Sequence, residues 1–111
     1  MNLTEIRAAV DKKFAPTEVD LEDGKAPVVL NHPLRLDAKV RARLGDLSST
    51  LEEEGVDQGA VIEALLVDAA RVPADGKRLV KALGGDVAIL MAVLEEWIKD
   101  NTLGEASPSE S

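Results

Sequence analysis

Asp86-Val87-Ala88-Ile89-Leu90-Met91-Ala92-Val93-Leu94-Glu95-Glu96-Trp97-Ile98 is the stretch whose reading decides the fold. Gly84-Gly85 stops whatever precedes it, and Asp86 can cap a new helix by accepting from an orphan amide. Val87, Leu90, Met91, Leu94, Trp97 and Ile98 fall on one helical face. Ile89 and Val93 fall on another, so the first two turns are apolar almost all round. Such a helix has to be enclosed by its own domain or by a partner. It is too short for a bilayer, which needs about 20 apolar residues. The stretch therefore reads as the central helix of a small helical domain. Its stripe has two readings: all core, or core with a share lent to another chain.

The bulk properties agree. A chain of 111 residues is one domain with one modest core. It has one Trp, one Phe and no Tyr, so the core is Leu, Val, Ile and Ala, which favours helices packed on helices. The absence of Cys excludes disulfides and thiol chemistry. A lone His32 cannot form a histidine cluster for zinc. The formal charge is −8, from 13 basic and 21 acidic residues, and both halves are acidic. A chain of that sign is repelled by phosphate backbones and anionic membranes, so neither nucleic acid nor a membrane is an expected partner. The first residues have no basic start followed by an apolar run, so no signal peptide is expected and the default location is the cytoplasm.

Working outward, Asp75 is placed to cap a short helix over about 76–83 carrying Leu79, Val80 and Leu83. Asp57 caps another over about 58–71, with Val61, Ile62, Leu65, Leu66 and Ala69 inward, ended by Val72-Pro73. Asp37 caps a helix over about 37–54, where Val40, Leu44, Leu47 and Leu51 make a single stripe. Lys39, Arg41 and Arg43 form a basic patch beside it, either a solvated face or a docking point for an acidic client. Thr4 to Lys13 reads as a helix with Ile6, Ala9, Val10 and Phe14 at helical spacing, ended by Pro16. Between these lies a β-hairpin over about 17–30, from the alternation in Thr17-Glu18-Val19-Asp20-Leu21, the Asp23-Gly24 turn and Val28-Val29-Leu30. Two strands are marginal alone, so the hairpin must pack on the helices or pair with something else. The fold class is mainly α: a small helical domain, residues 1–101, of four to five helices with an N-terminal β-hairpin. A small, polar, acidic tail follows over 102–111 and is expected to be disordered.

No motif carries catalysis. There is no phosphate-binding glycine loop, no His-Glu-x-x-His and no calcium-loop spacing. Asn31-His32-Pro33 reads as a turn, with no nucleophile or carboxylate pair placed for His32 to serve. The chain is not expected to be an enzyme, nor to hold a metal or cofactor. Residues 76–98 imitate a helix-turn-helix, but the second helix is greasy where a recognition helix is polar and basic.

The order of these signals resembles the tail assembly chaperones of long-tailed bacteriophages, particularly phages of actinobacteria. The segments that carry the likeness are Ile6-Arg7-Ala8-Ala9-Val10-Asp11-Lys12-Lys13-Phe14-Ala15-Pro16 with the acidic hairpin after it, and Asn31-His32-Pro33-Leu34-Arg35-Leu36. Further along they are Lys77-Arg78-Leu79-Val80-Lys81-Ala82-Leu83-Gly84-Gly85-Asp86-Val87-Ala88-Ile89-Leu90 and the ending Leu103-Gly104-Glu105-Ala106-Ser107. The resemblance implies a protein that binds the tape measure protein and keeps it soluble while the tail tube polymerises. It implies a place in the host cytoplasm and absence from the mature virion. In that family a longer, frameshifted form is thought to recruit tail tube protein, and this ending fits the short form. Homo-oligomers are compatible with the same role. Leu90, Leu94, Trp97 and Ile98 are the candidate partner-binding residues. Two other readings stay open: a structural tail or head–tail connector component, and a small acidic regulatory binding protein.

Overall fold

Gly84 and Gly85 both sit in the left-handed backbone region, at φ 65° and 73°, and this reverses the chain between its last two helices. A side chain is strained there, which is why glycine occupies both positions. The computed structural model describes residues 1–106, with side chains described through Lys99. Six α-helices and one two-stranded antiparallel sheet are found among the described residues. The chain runs α1 (Leu3–Lys13), β1 (Thr17–Val19), β2 (Val28–Leu30), a 3-10 turn (Pro33–Arg35), α2 (Ala38–Gly45), α3 (Leu47–Glu52), α4 (Gln58–Ala69), α5 (Pro73–Leu83) and α6 (Val87–Ala106). The mainly helical class with an early hairpin is thus what the chain forms. The tail expected over 102–111 begins within the last turns of α6 and otherwise lies outside the described residues.

Five of the six helix starts have a visible cause. The Asp86 carboxylate accepts from the amides of Ala88 and Ile89 at 3.0 and 3.3 Å. Asp57 caps α4 through Ala60 N–H and Asp37 caps α2 through Val40 N–H, each at 3.0 Å. The cap of α1 is Asn2, and the helix begins at Leu3: the Asn2 side chain accepts from Glu5 N–H while Glu5 reaches back to the Asn2 amide. That reciprocal pair satisfies two orphan donors at once. α5 begins three residues before the expected start. Pro73 takes its first position and Asp75 lies in its first turn, because proline's fixed φ suits a helix start and its missing N–H costs nothing there.

The stripe over 37–54 is split. Asp46, at φ −94° and ψ 5°, interrupts it between α2 and α3, adding one helix to the expected number. The break turns Leu47 into the core while Leu44 and Leu51 pack at its margin.

α4, α5 and α6 form the body. Ile62, Leu65, Leu66, Ala69, Leu79, Leu90, Leu94 and Trp97 make its centre. α5 lies close on α4 through Gly76: a Cβ added there would stand 2.8 Å from the Val67 Cα and 3.0 Å from the Ala70 Cβ. Only a residue without a side chain allows that approach. The hairpin is docked on this body. In register, Thr17 faces Leu30, Glu18 faces Val29 and Val19 faces Val28. Val28 and Leu30 point into the core. The chain leaving α4 adds to the inner edge of β2: Ala70 bridges Leu30, Arg71 N–H donates to Val29 O at 2.8 Å, and Asn31 N–H donates to Ala69 O at 2.9 Å. The hairpin turn is tied down by Arg78 of α5, which donates to Asp23 Oδ2 and to Ala26 O, both at 2.7 Å.

Candidate partner-binding surface

Of the four residues expected to meet a partner, three are inside. Leu90 and Trp97 have no exposed surface and Leu94 is 4% exposed. Ile98 is half-buried at the core's edge. The Trp97 indole N–H donates to Asn31 O at 3.0 Å, fixing α6 to the exit of β2. The face is core because α4 and the hairpin cover it, which the periodicity of α6 could not reveal. Among described residues, α6 instead leaves Val87 and Ile89 to solvent, the latter 45% exposed.

More apolar surface is left exposed on α1, which has no buried residue. Leu3 is 58% and Ile6 42% exposed. Leu3, Ile6, Val10 and Phe14 lie within one arc of the helix at 100° per residue. An isolated helix of 11 residues is marginal in water. α1 is held by its cap and by its root: Arg35 pairs with Asp11 at 2.8 Å. There the Phe14 ring also meets the His32 ring edge-on, with centroids 4.9 Å apart.

His32 itself is a structural residue. It is buried, and its Nδ1 accepts from Leu34 N–H at 3.0 Å, capping the 3-10 turn that Pro33 opens. Around it lies an open cleft of about 470 Å³, also lined by Asp11, Phe14, Pro16, Asn31, Arg35 and Arg71. Arg71 reaches Asn31 Oδ1 only at 3.4 Å. In a chain of net charge −8, a cleft with two guanidinium groups is a local inversion of sign. Sequence reading missed it because its walls come from three separated segments. The basic patch that was noticed, Lys39, Arg41 and Arg43, is partly used within the fold. Arg41 donates to Leu36 O at 3.0 Å and Arg43 pairs with Asp68.

The Asp23 carboxyl is held below its ordinary value of 3.8, first by the Lys25 amide and then by the Arg78 guanidinium. Its role is structural. Among the described residues no three His, Asp or Glu side chains converge as a metal would require. No described helix is long and apolar enough to cross a membrane.

The arrangement is thus an exposed apolar helix whose end meets a cleft bearing two guanidinium groups. No solved structure and no curated protein matches this sequence significantly. A family described as mycobacteriophage tail assembly protein matches residues 1–106. That covers nearly the whole chain, so the polypeptide belongs to the mycobacteriophage tail assembly protein family, which is not an enzyme family, and its partners are tail components.

Proposed function

We propose that this protein is a tail assembly chaperone that binds the tape measure protein and keeps it soluble while tail tube subunits polymerise around it. The observation that carries the reading is α1, an entire amphipathic helix with none of its residues buried. A tape measure chain is a long amphipathic helix and needs apolar faces to receive it. The acidic charge of the rest keeps such a complex in solution. On this reading the protein works in the host cytoplasm and leaves before the virion is finished, and a longer frameshifted form would add contacts to tube protein. Leu90, Leu94 and Trp97 could serve a client only if α6 left the core, and Ile98 offers only its half-exposed edge, so α1 is the first contact.

Co-expression tests this directly. The neighbouring tape measure protein should gain soluble yield with this chain and lose the gain when Ile6 is changed to Glu. A folded chain that gives no rescue overturns the reading. Mass spectrometry of purified virions separates the rival: a structural tail or connector component stays in the particle, and a chaperone is absent.

A further inference from the structure

We infer that α1 and the cleft at its root form one composite site, and that its occupant is an acidic amphipathic helix of the partner chain. The proposal rests on the chaperone reading and specifies the client segment. The apolar stripe Leu3, Ile6, Val10 and Phe14 does not stop at the end of α1: the Phe14 ring is itself a wall of the cleft. A helix laid along the stripe, about 16 Å long at 1.5 Å per residue, therefore runs on into a space flanked by Arg35 and Arg71. Each guanidinium has five donors. Arg35 spends one on Asp11 at 2.8 Å and Arg71 makes a long 3.4 Å contact to Asn31, so both keep donors for a carboxylate. Arg7 and Lys13 border the stripe as well. Basic groups around an apolar strip select Leu-rich helices with Glu or Asp on the margins and disfavour those with Lys, since like charges in contact are repelled.

A bare anion is a poorer fit, because it would leave the stripe wet. A second copy of α1 is a poorer fit too. It would set Arg7, Lys12 and Lys13 of each helix against only Glu5 and Asp11 of the other, and would leave Arg35 and Arg71 without new partners.

The test uses the full chain and two fluorescein-labelled peptides of about 18 residues, five helical turns, with identical Leu and Ala positions and either Glu or Lys on the margins. Anisotropy should show the Glu peptide binding about tenfold tighter than the Lys peptide, the effect of one to two kcal/mol of charge pairing. The preference should shrink with added salt. Arg71→Glu should remove it, and Ile6→Glu should weaken both peptides by about tenfold; both positions are exposed, so circular dichroism should be unchanged. Equal binding of the two peptides overturns the proposal. So does inorganic phosphate displacing the Glu peptide while Ile6→Glu leaves that peptide's affinity intact, which makes the cleft a plain anion site. Concentration-dependent dimers lost in Ile6→Glu, without peptide binding, overturn it in favour of a second copy. Co-expression keeps the two levels apart. If the wild-type chain and Arg71→Glu rescue the tape measure protein equally, this site falls and the chaperone reading stands; if the wild type gives no rescue, that reading falls.

Discussion

Replacing Gly76 by Ala tests the close contact between α4 and α5. On helix propensity alone the change should stabilise by about 0.5–1 kcal/mol. The structure opposes that gain. The new methyl would lie 2.8 Å from the Val67 Cα, 3.0 Å from the Ala70 Cβ and 3.1 Å from the Val67 O. Carbon atoms pack at about 3.5–4.0 Å, so α5 must retreat by nearly an ångström, and two of the three obstacles are backbone that cannot swing aside. Overpacking of this kind costs about 1–3 kcal/mol. The net expectation is a loss of about 1 kcal/mol, or a fall in Tm of roughly 4–8 °C for a domain of this size. Gly45 is the internal control: it is also helical, and a Cβ there meets nothing within 4 Å. Gly45→Ala should raise stability by about 0.4–1 kcal/mol. Urea unfolding reports both, read by far-ultraviolet circular dichroism and by Trp97, whose burial gives a blue-shifted native emission. If Gly76→Ala proves as stable as the parent or more so, α5 does not lie on α4 in the way described, and the packing argument fails.

Further expectations follow from other contacts. Leu94→Glu puts a carboxylate where only 4% of the side chain is exposed, so helical circular dichroism should collapse at neutral pH; a folded variant that had merely lost its client would return Leu94 to the surface. Removing residues 1–13 should cost under about 1 kcal/mol, because α1 buries nothing and its ion pair is exposed, yet should abolish rescue of the tape measure protein. Arg78→Ala strips the hairpin turn of two 2.7 Å bonds and should destabilise by about 1–3 kcal/mol, measured by urea titration. Asp23 has a lowered folded pKa, so its contribution is present above its unfolded value and is lost as pH falls through the folded one. Asp23→Asn should therefore weaken the fold at pH 7 and match the parent in strong acid.

Much of the fold could be read locally. Asp37, Asp57 and Asp86 each announce a helix, and Gly84-Gly85 announces a reversal, because capping and left-handed backbone are decided within a few residues. The hairpin was equally legible from Asp23-Gly24. The start of α5 is a local signal as well: Pro73 reads as a terminator of α4, and it also opens the next helix. What stayed hidden was set by distance along the chain. Nothing near Trp97 says that its indole will meet the carbonyl of Asn31, so the one tryptophan could be read as bait for a partner. Nothing near residues 3–9 says that the fold will leave Leu3 and Ile6 uncovered. A stripe declares which side chains want shelter; only the tertiary packing decides which of them receive it. The basic cleft was invisible for the same reason, since Asp11, Arg35 and Arg71 converge from three segments.

The indole bond from Trp97 to Asn31 spans 66 positions of sequence, and this has a bearing on synthesis. The hairpin cannot be locked until α6 has been made, whereas α1 needs nothing downstream to form its cap. On the ribosome α1 therefore emerges before the platform that steadies it, and on the chaperone reading proposed above it is offered to a client before the protein's own interior has closed.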